Sequence, residues 1–287
     1  MNLFFVIDEH TDGENASTVR TRVDIIMDAI RNPNIPPPNN GEWVGGEIAR
    51  QFWENAIHRV SPVVQTRFIN EFQAYLNAVV DEAADRESRY IRNIEDYFKI
   101  RRNTIGAKPS FAICEMYMNI PEEVMRHPVI KKLRELAIDT IIIGNDLYSY
   151  NVEQARGDSA HNFVTIVMHE FKFDIQSAIN WIVELHENRV TEFLQEYYNM
   201  QPLGSFESDV IAYCRGSANW VRANDSWSSE ILRYDFNESL LIGTDFRKPK
   251  HTPARDMNIL FVIDEHMAIA DADTIKVVTD VICNPLF

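Results

Sequence analysis

Residues 141–158 read IIIGNDLYSYNVEQARGD, and the pattern inside this stretch decides how the chain is understood. Ile141, Ile142 and Ile143 belong to an apolar series that repeats every three to four residues, as the core-facing side of a helix does. Directly after them, Asn145, Ser149 and Glu153 stand at i, i+4 and i+8. At about 100° per residue this spacing drifts only ~80° in total, so the three side chains share one helical stripe. They offer an amide carbonyl, a hydroxyl and a carboxylate, hard oxygen donors that suit Mg²⁺ or Mn²⁺ rather than zinc. A polar triplet at this spacing is ordinarily a solvated face. Here it begins where a core helix continues, which favours a binding site.

The chain opens on a second stretch of the same kind. MNLFFVIDEHTD (residues 1–12) carries the apolar run Leu3–Ile7 and then Asp8 and Asp12, an i, i+4 acidic pair. Two oxygen-rich stripes, each ending an apolar helix, suggest metal ions facing an apolar pocket. A metal with few protein ligands completes its shell with substrate phosphates.

Periodicity places most of the remaining chain in helices as well. Val63, Val64, Phe68, Phe72, Tyr75, Leu76, Val79 and Val80 form one apolar face. Comparable patterns cover residues 46–58, 86–101, 129–154, 160–171, 175–198, 205–221 and 226–234. The punctuation agrees: Ser61–Pro62 and Ile120–Pro121 read as helix starts, Pro36–Gly41 as a loop, and Gly157–Ser159 as a break between helices. Almost no stretch alternates apolar and polar residues, so the fold class is all-α. The organisation expected is one helical domain over residues 1–240, a linker over 241–256, and a final segment 257–287.

Composition excludes several classes. The 287 residues are 45% hydrophobic and 11% aromatic, enough for a buried core. A net charge of −15 argues against a nucleic-acid partner, which calls for basic surface, but leaves an anionic substrate open, because a bound cation inverts the local field. Cys114, Cys214 and Cys283 form no CxxC pair, so neither a disulfide framework nor a zinc knuckle is indicated. No apolar run approaches the ~18 residues of a membrane span. The setting expected is cytoplasmic. There is no HExxH, GxSxG or phosphate-cradling glycine loop, and the eight histidines are scattered.

The acidic DEHTD at residues 8–12 and the NDLYSYNVE at residues 145–153 resemble the two metal motifs of class I terpene synthases, particularly fungal sesquiterpene synthases. Arg101, in RRNTIGAKP and 44 residues before Asn145, lies where that family keeps an arginine that contacts diphosphate. Arg233–Tyr234, 80 residues after Glu153, resembles the family's late Arg-Tyr pair. The resemblance covers about residues 1–240, and its overall pattern is most similar to the fungal group that forms humulyl-cation products such as protoilludene. Two features depart from it: the first acidic motif begins at residue 8, without the early helices of the family, and Val152 stands where relatives often have lysine.

The resemblance implies a helical isoprenoid-synthase bundle around a central pocket, and a sesquiterpene cyclase that ionises farnesyl diphosphate with three Mg²⁺ ions, Mn²⁺ being an alternative. Asp8 would hold two of the ions, and Asn145, Ser149 and Glu153 the third. Asp12 and Glu9 would orient water or pair with basic groups. Arg101 and Arg233 would bind the diphosphate bidentately, with Tyr234 adding a hydroxyl, although the adjacent Arg102 is an alternative to Arg101. Phe5, one turn before Asp8, and Trp227 are placed to offer aromatic faces to a carbocation. A homodimer is left open.

One further feature needs a place. MNILFVIDEHMA at residues 257–268 repeats the opening segment, keeping Asp264 and Glu265 but replacing the third acid by Ala268. Its position after all the other motifs assigns the metal role to Asp8. A second reading follows from the short start and this displaced copy: a truncated, non-catalytic relative that keeps the motifs without a closed pocket.

Overall fold

A computed structural model describes residues 2–37 and 41–230. No strand occurs among these residues, as the periodicity requires. Eleven helices follow in order: α1 (Asn2–Thr11), α2 (Ala16–Arg31), α3 (Val44–Ile57), α4 (Pro62–Ser88), α5 (Ile94–Thr104), α6 (Ala107–Ser110), α7 (Glu122–Met125), α8 (Pro128–Arg156), α9 (Phe163–Phe171), α10 (Ile175–Tyr198) and α11 (Glu207–Glu230). None is long and apolar enough to cross a membrane. The expected linker and repeat, residues 241–287, lie outside the described residues, as do Arg233 and Tyr234. Of Trp227 only the backbone is described.

The described residues form two compact units, the first comprising residues up to 91 with 98–122, the second 92–97 with 123 onward. In the first unit, α2 packs on α3 and α4, and α1 packs on α3. The apolar face of α4 supplies its centre: Phe68, Phe72, Tyr75, Leu76 and Val79 are all buried. Val63 points the other way and is 41% exposed, because the first turn of α4 carries it off the buried stripe. Trp53, Phe68, Phe72 and Tyr75 stack in sequence, with ring centroids 5.1, 5.3 and 5.8 Å apart. Each such buried ring contributes about 1.5–3 kcal/mol over an exposed one. Arg67 pins the segment after α6 to α4, donating to the Glu115 carboxylate, to Glu122 Oε2 (3.1 Å) and to the Ile120 carbonyl (3.2 Å).

In the second unit α8 is the central rod, with α10 and α11 packed along it and α9 against both α8 and α10. It buries Leu133, Leu136, Ala137, Ile138, Ile141, Ile142 and Ile143. Asp139, 2% exposed at its side chain, is met by Arg189 Nε of α10 at 3.4 Å.

Several helix ends are set as local chemistry dictates. Ser61 caps α4 by accepting from Val64 N (3.4 Å), with Pro62 in the first turn. Gly157 closes α8 in the left-handed region (φ 82°), which places its amide on the Gln154 carbonyl and the next amide on the Glu153 carbonyl. Other boundaries differ from the periodic reading. Residues 86–101 are not one helix: α4 runs to Ser88, Arg89 turns left-handed (φ 54°), and α5 starts afresh at Ile94. No glycine or proline marks that break, and an arginine bears the strain at modest cost. Conversely, α11 runs unbroken where two helices are expected, since nothing between Val221 and Ser226 breaks a helix already packed on α8. Pro121 immediately precedes α7 instead of opening it. α9 begins at Phe163, not near residue 160, because a 3₁₀ turn (Ser159–His161) intervenes and Asn162 is its cap.

Candidate active site

The acidic stripe of α1 sits on an aromatic bed. Phe4 packs edge-on against Phe72 (5.9 Å) and Tyr75 (5.1 Å), and Leu3 and Ile7 are buried beside it. One turn beyond Phe4, Asp8 therefore meets Tyr75, whose hydroxyl donates to Asp8 Oδ1 at 3.1 Å. The end of α1 is anchored through its own backbone. Arg86 donates to the Thr11 carbonyl at 2.8 Å and Arg22 donates to the His10 carbonyl, satisfying groups that a helix end leaves unpaired. Asp12 follows immediately, its amide on the Asp8 carbonyl at 3.0 Å.

Asp8 has an unusual setting. Its side chain is open to solvent, yet protein encloses it closely enough to strip much of its hydration. That loss of hydration, then the Asp12 charge, pushes its carboxyl up to about 7; the Tyr75 hydrogen bond and the Arg101 charge pull down, and the Glu82 charge pushes up again. A carboxylate held at such cost is one that a cation would relieve. Arg101, on α5, lies 3.5 Å from Thr104 Oγ1, which in turn donates to Glu82 Oε1 at 3.4 Å. Arg102 instead lies over the Phe98 ring, 5.7 Å from its centroid. Phe5 is 37% exposed, and Phe4 is the ring packed beneath the acid.

The second motif is built in the last three turns of α8. Asn145 is half-buried, Ser149 buried and Glu153 half-buried. The chain reverses at Gly157, makes one 3₁₀ turn and returns to the stripe at Asn162, which is fully buried. Asn162 Nδ2 donates to the Asp146 carbonyl (2.8 Å), to Glu153 Oε2 (3.0 Å) and, more weakly, to Ser149 Oγ (3.4 Å). Its Oδ1 accepts from Val164 N at 2.9 Å, capping α9. Asp146, itself 1% exposed, accepts from Phe163 N (2.8 Å) and from the Tyr97 hydroxyl. The Tyr97 and Phe163 rings stack over this link at 5.4 Å with an 8° interplanar angle. Two buried side chains thus tie the start of α9 to the stripe on α8.

Gly144, just before Asn145, allows α11 to come close. A Cβ there would stand 2.9 Å from Asp225 Oδ1 and 3.3 Å from Asn224 Nδ2.

These donor sets suit a divalent, oxygen-seeking cation. Among the described residues no three His, Cys, Asp or Glu side chains cluster into a metal-binding group of their own. The second motif supplies its oxygens largely from an amide and a hydroxyl, and such a site relies on ligand oxygens for the remaining coordination. The two described cysteines do not compete: Cys214 is buried, which pushes its thiol up to about 12, and Cys114 is half-buried.

The structure thus brings Asn145, Ser149 and Glu153 together on α8, and Asp8 and Asp12 together at the end of α1, with the Arg101 charge acting on Asp8. Tyr75, Asp146, Asn162 and Tyr97 escape a reading by spacing. The only trace of Asn162 in the sequence is its type, an asparagine just before an apolar helix, which is a capping signal.

Comparison with known proteins identifies the family. Residues 1–192 match the family described as terpene synthase family 2, C-terminal metal binding. The chain is 56% identical over 235 residues to a Δ6-protoilludene synthase of Hypholoma sublateritium, covering 82% of this chain and 72% of that protein. It is 52% identical over 235 residues to one from Stereum hirsutum, covering 82% and 67%. It is 43% identical over 257 residues to sesquiterpene synthase 14 of Postia placenta, covering 88% and 71%. Among solved structures, a linalool/nerolidol synthase from Streptomyces clavuligerus in complex with 2-fluorogeranyl diphosphate shares the fold, with a TM-score of 0.69 at 19% identity, covering 79% of this chain and 78% of that one. The chain belongs to the terpene synthase family, among the fungal sesquiterpene cyclases.

Proposed function

We propose that this sesquiterpene cyclase acts on farnesyl diphosphate, releasing diphosphate and closing the farnesyl chain to a cyclic hydrocarbon, with Δ6-protoilludene, formed through a humulyl cation, as the product. The product assignment is supported by the 56% and 52% identity to relatives that carry that name. The observation that carries the site assignment is the stripe of Asn145, Ser149 and Glu153, whose last two members are tied by one buried amide.

In this reading three Mg²⁺ ions, replaceable by Mn²⁺, take part: Asp8 would hold two of them, and Asn145, Ser149 and Glu153 the third. When bound, they neutralise the departing diphosphate as Lewis acids. The rest falls to the chain. Arg101 and Arg233 bind diphosphate oxygens through paired N–H donors and Tyr234 adds one hydroxyl donor. Arg101 is preferred over Arg102 because its charge already acts on Asp8, whereas Arg102 is spent on the Phe98 ring. Asp12 raises the negative field around Asp8 and so the attraction for cations. Phe5 and Trp227 offer aromatic faces to the carbocation, a stabilisation that needs water kept away. The protein works as a cytoplasmic enzyme on a diffusible substrate. The organisation proposed is one catalytic helical domain over residues 1–240, followed by a linker and the repeat segment.

Purified full chain incubated with Mg²⁺ and farnesyl diphosphate should yield a sesquiterpene hydrocarbon by gas chromatography–mass spectrometry. Asn145→Ala should abolish it. A well-folded protein that gives no hydrocarbon would instead support the non-catalytic reading, and turnover retained in Asn145→Ala would place the metal site elsewhere.

A further inference from the structure

We infer that Asn162 is a positioning residue for the α8 motif: its buried side-chain amide holds Glu153 and Ser149 in the orientation that receives the metal. The inference rests on the site assignment proposed above.

The direction of the amide is not a matter of choice. Asn162 Oδ1 faces the Val164 N–H, which can only donate, and Nδ2 faces the Asp146 carbonyl, which can only accept. Both ends are therefore fixed by backbone groups, and the second N–H of Nδ2 is left for Glu153 Oε2 at 3.0 Å, with Ser149 Oγ sharing it at 3.4 Å. A side chain that is fully buried and committed in this way cannot swing out to water. It fixes one oxygen of a glutamate in the last turn of α8, a flexible side chain that otherwise samples several rotamers.

The rigidity of the amide has its own source. Asp146 takes the Phe163 N–H beside it, and the stacked Tyr97 and Phe163 rings close over that contact. The consecutive residues Asn162 and Phe163 are thus both fastened to α8. Outer partners of this kind set ligand geometry, and their loss typically weakens metal affinity by about 10–100-fold.

Capping α9 and positioning Glu153 are separable. Asn162→Ser retains a hydroxyl able to cap α9 but lacks the reach of the amide donor. Asn162→Asp retains the cap and the shape but turns a donor into an acceptor facing Glu153. In the whole 287-residue chain with farnesyl diphosphate, both variants should raise the Mg²⁺ concentration for half-maximal rate about tenfold or more, with rate partly recovered at high Mg²⁺. A purely structural role would lower the rate without moving that midpoint. Turnover-independent evidence comes from thermal unfolding: the rise in Tm caused by Mg²⁺ with inorganic diphosphate should shrink in both variants. Should Asn162→Asp fail to fold, Asn162→Ser decides the matter. Asn145→Ala, measured alongside, separates the two levels. A weakened Tm response in Asn145→Ala with a wild-type midpoint and response in Asn162→Ser overturns the positioning role alone. A wild-type Tm response in Asn145→Ala overturns the site assignment.

Discussion

Tyr75 and Asp8 are 67 residues apart in the chain, yet the Tyr75 hydroxyl donates to Asp8 Oδ1 at 3.1 Å from a ring that is 1% exposed. The bond partly offsets a carboxylate that its surroundings disfavour. Asp8 stands at about 7 against 3.8 in the unfolded chain, chiefly through lost hydration and then through Asp12. A carboxyl whose folded value is raised binds its proton more tightly when folded, so the folded state gains from protonation at low pH. Its contribution to stability falls as pH rises from about 4 to about 7 and is wholly unfavourable above that. In metal-free protein, Asp8→Asn should therefore have a higher Tm than wild type at pH 8 and a similar one near pH 4. Thermal unfolding with a chelator present, scanned from pH 4 to 8, reads this directly. A lower Tm for Asp8→Asn at pH 8 would contradict it.

Tyr75→Phe removes the donor while keeping the ring against Phe4. The net loss is about 1 kcal/mol where Asp8 is ionised, and less where it is protonated, because Tyr75 lowers the Asp8 value. The stability difference between Tyr75→Phe and wild type should accordingly widen between pH 5 and pH 8 in denaturant titrations of metal-free protein. A constant difference across that range would show that the hydroxyl does not sense the charge of Asp8.

Asp146 carries structural weight although it lies beside a candidate ligand. It accepts from Phe163 N and from the Tyr97 hydroxyl in a fully buried setting. Asp146→Ala leaves both donors without an acceptor and should cost about 2–4 kcal/mol. Asp146→Asn keeps one acceptor oxygen and should cost less. Equilibrium urea unfolding gives both numbers, and a cost below about 1 kcal/mol for Asp146→Ala would show that water replaces the carboxylate.

The difference between Asn145 and Asp146 also marks what the sequence could and could not convey. The helix holding Asn145, Ser149 and Glu153 was legible almost to its ends, because its apolar period is long and Gly157 stops it: the periodic reading spans 129–154, the helix Pro128–Arg156. That Asn145, Ser149 and Glu153 share one stripe was legible because placement on a single helix depends only on spacing. The groups that hydrogen-bond to the stripe were not. Asn162 meets Asp146, Ser149 and Glu153 across separations of 16, 13 and 9 residues, through a reversal whose geometry no periodicity encodes. Tyr75 looked like one more core residue of α4, and only the docking of α1 turns its hydroxyl toward an acid. The α4–α5 break was missed for a related reason: Arg89 adopts a left-handed backbone without being glycine or asparagine.

Two glycines make a final comparison. Both Gly157 (φ 82°) and Gly106 (φ 71°) occupy the left-handed region, so an alanine at either position bears about 1–2 kcal/mol of backbone strain. Around Gly157 there is no atom within 4 Å of an added Cβ, and strain is the whole cost. At Gly106 the added Cβ would meet the Phe4 ring at 3.2 Å. Phe4 has little room to yield, because it packs edge-on against both Phe72 and Tyr75. Displacing it disturbs the bed on which Asp8 rests. Gly157→Ala should therefore lose about 1 kcal/mol in urea unfolding while keeping its half-saturating Mg²⁺ concentration. Gly106→Ala should lose more and also turn over farnesyl diphosphate more slowly at saturating Mg²⁺. Equal stability losses with unchanged turnover in both variants would show that Phe4 moves aside freely and that the aromatic bed does not hold the acid in place.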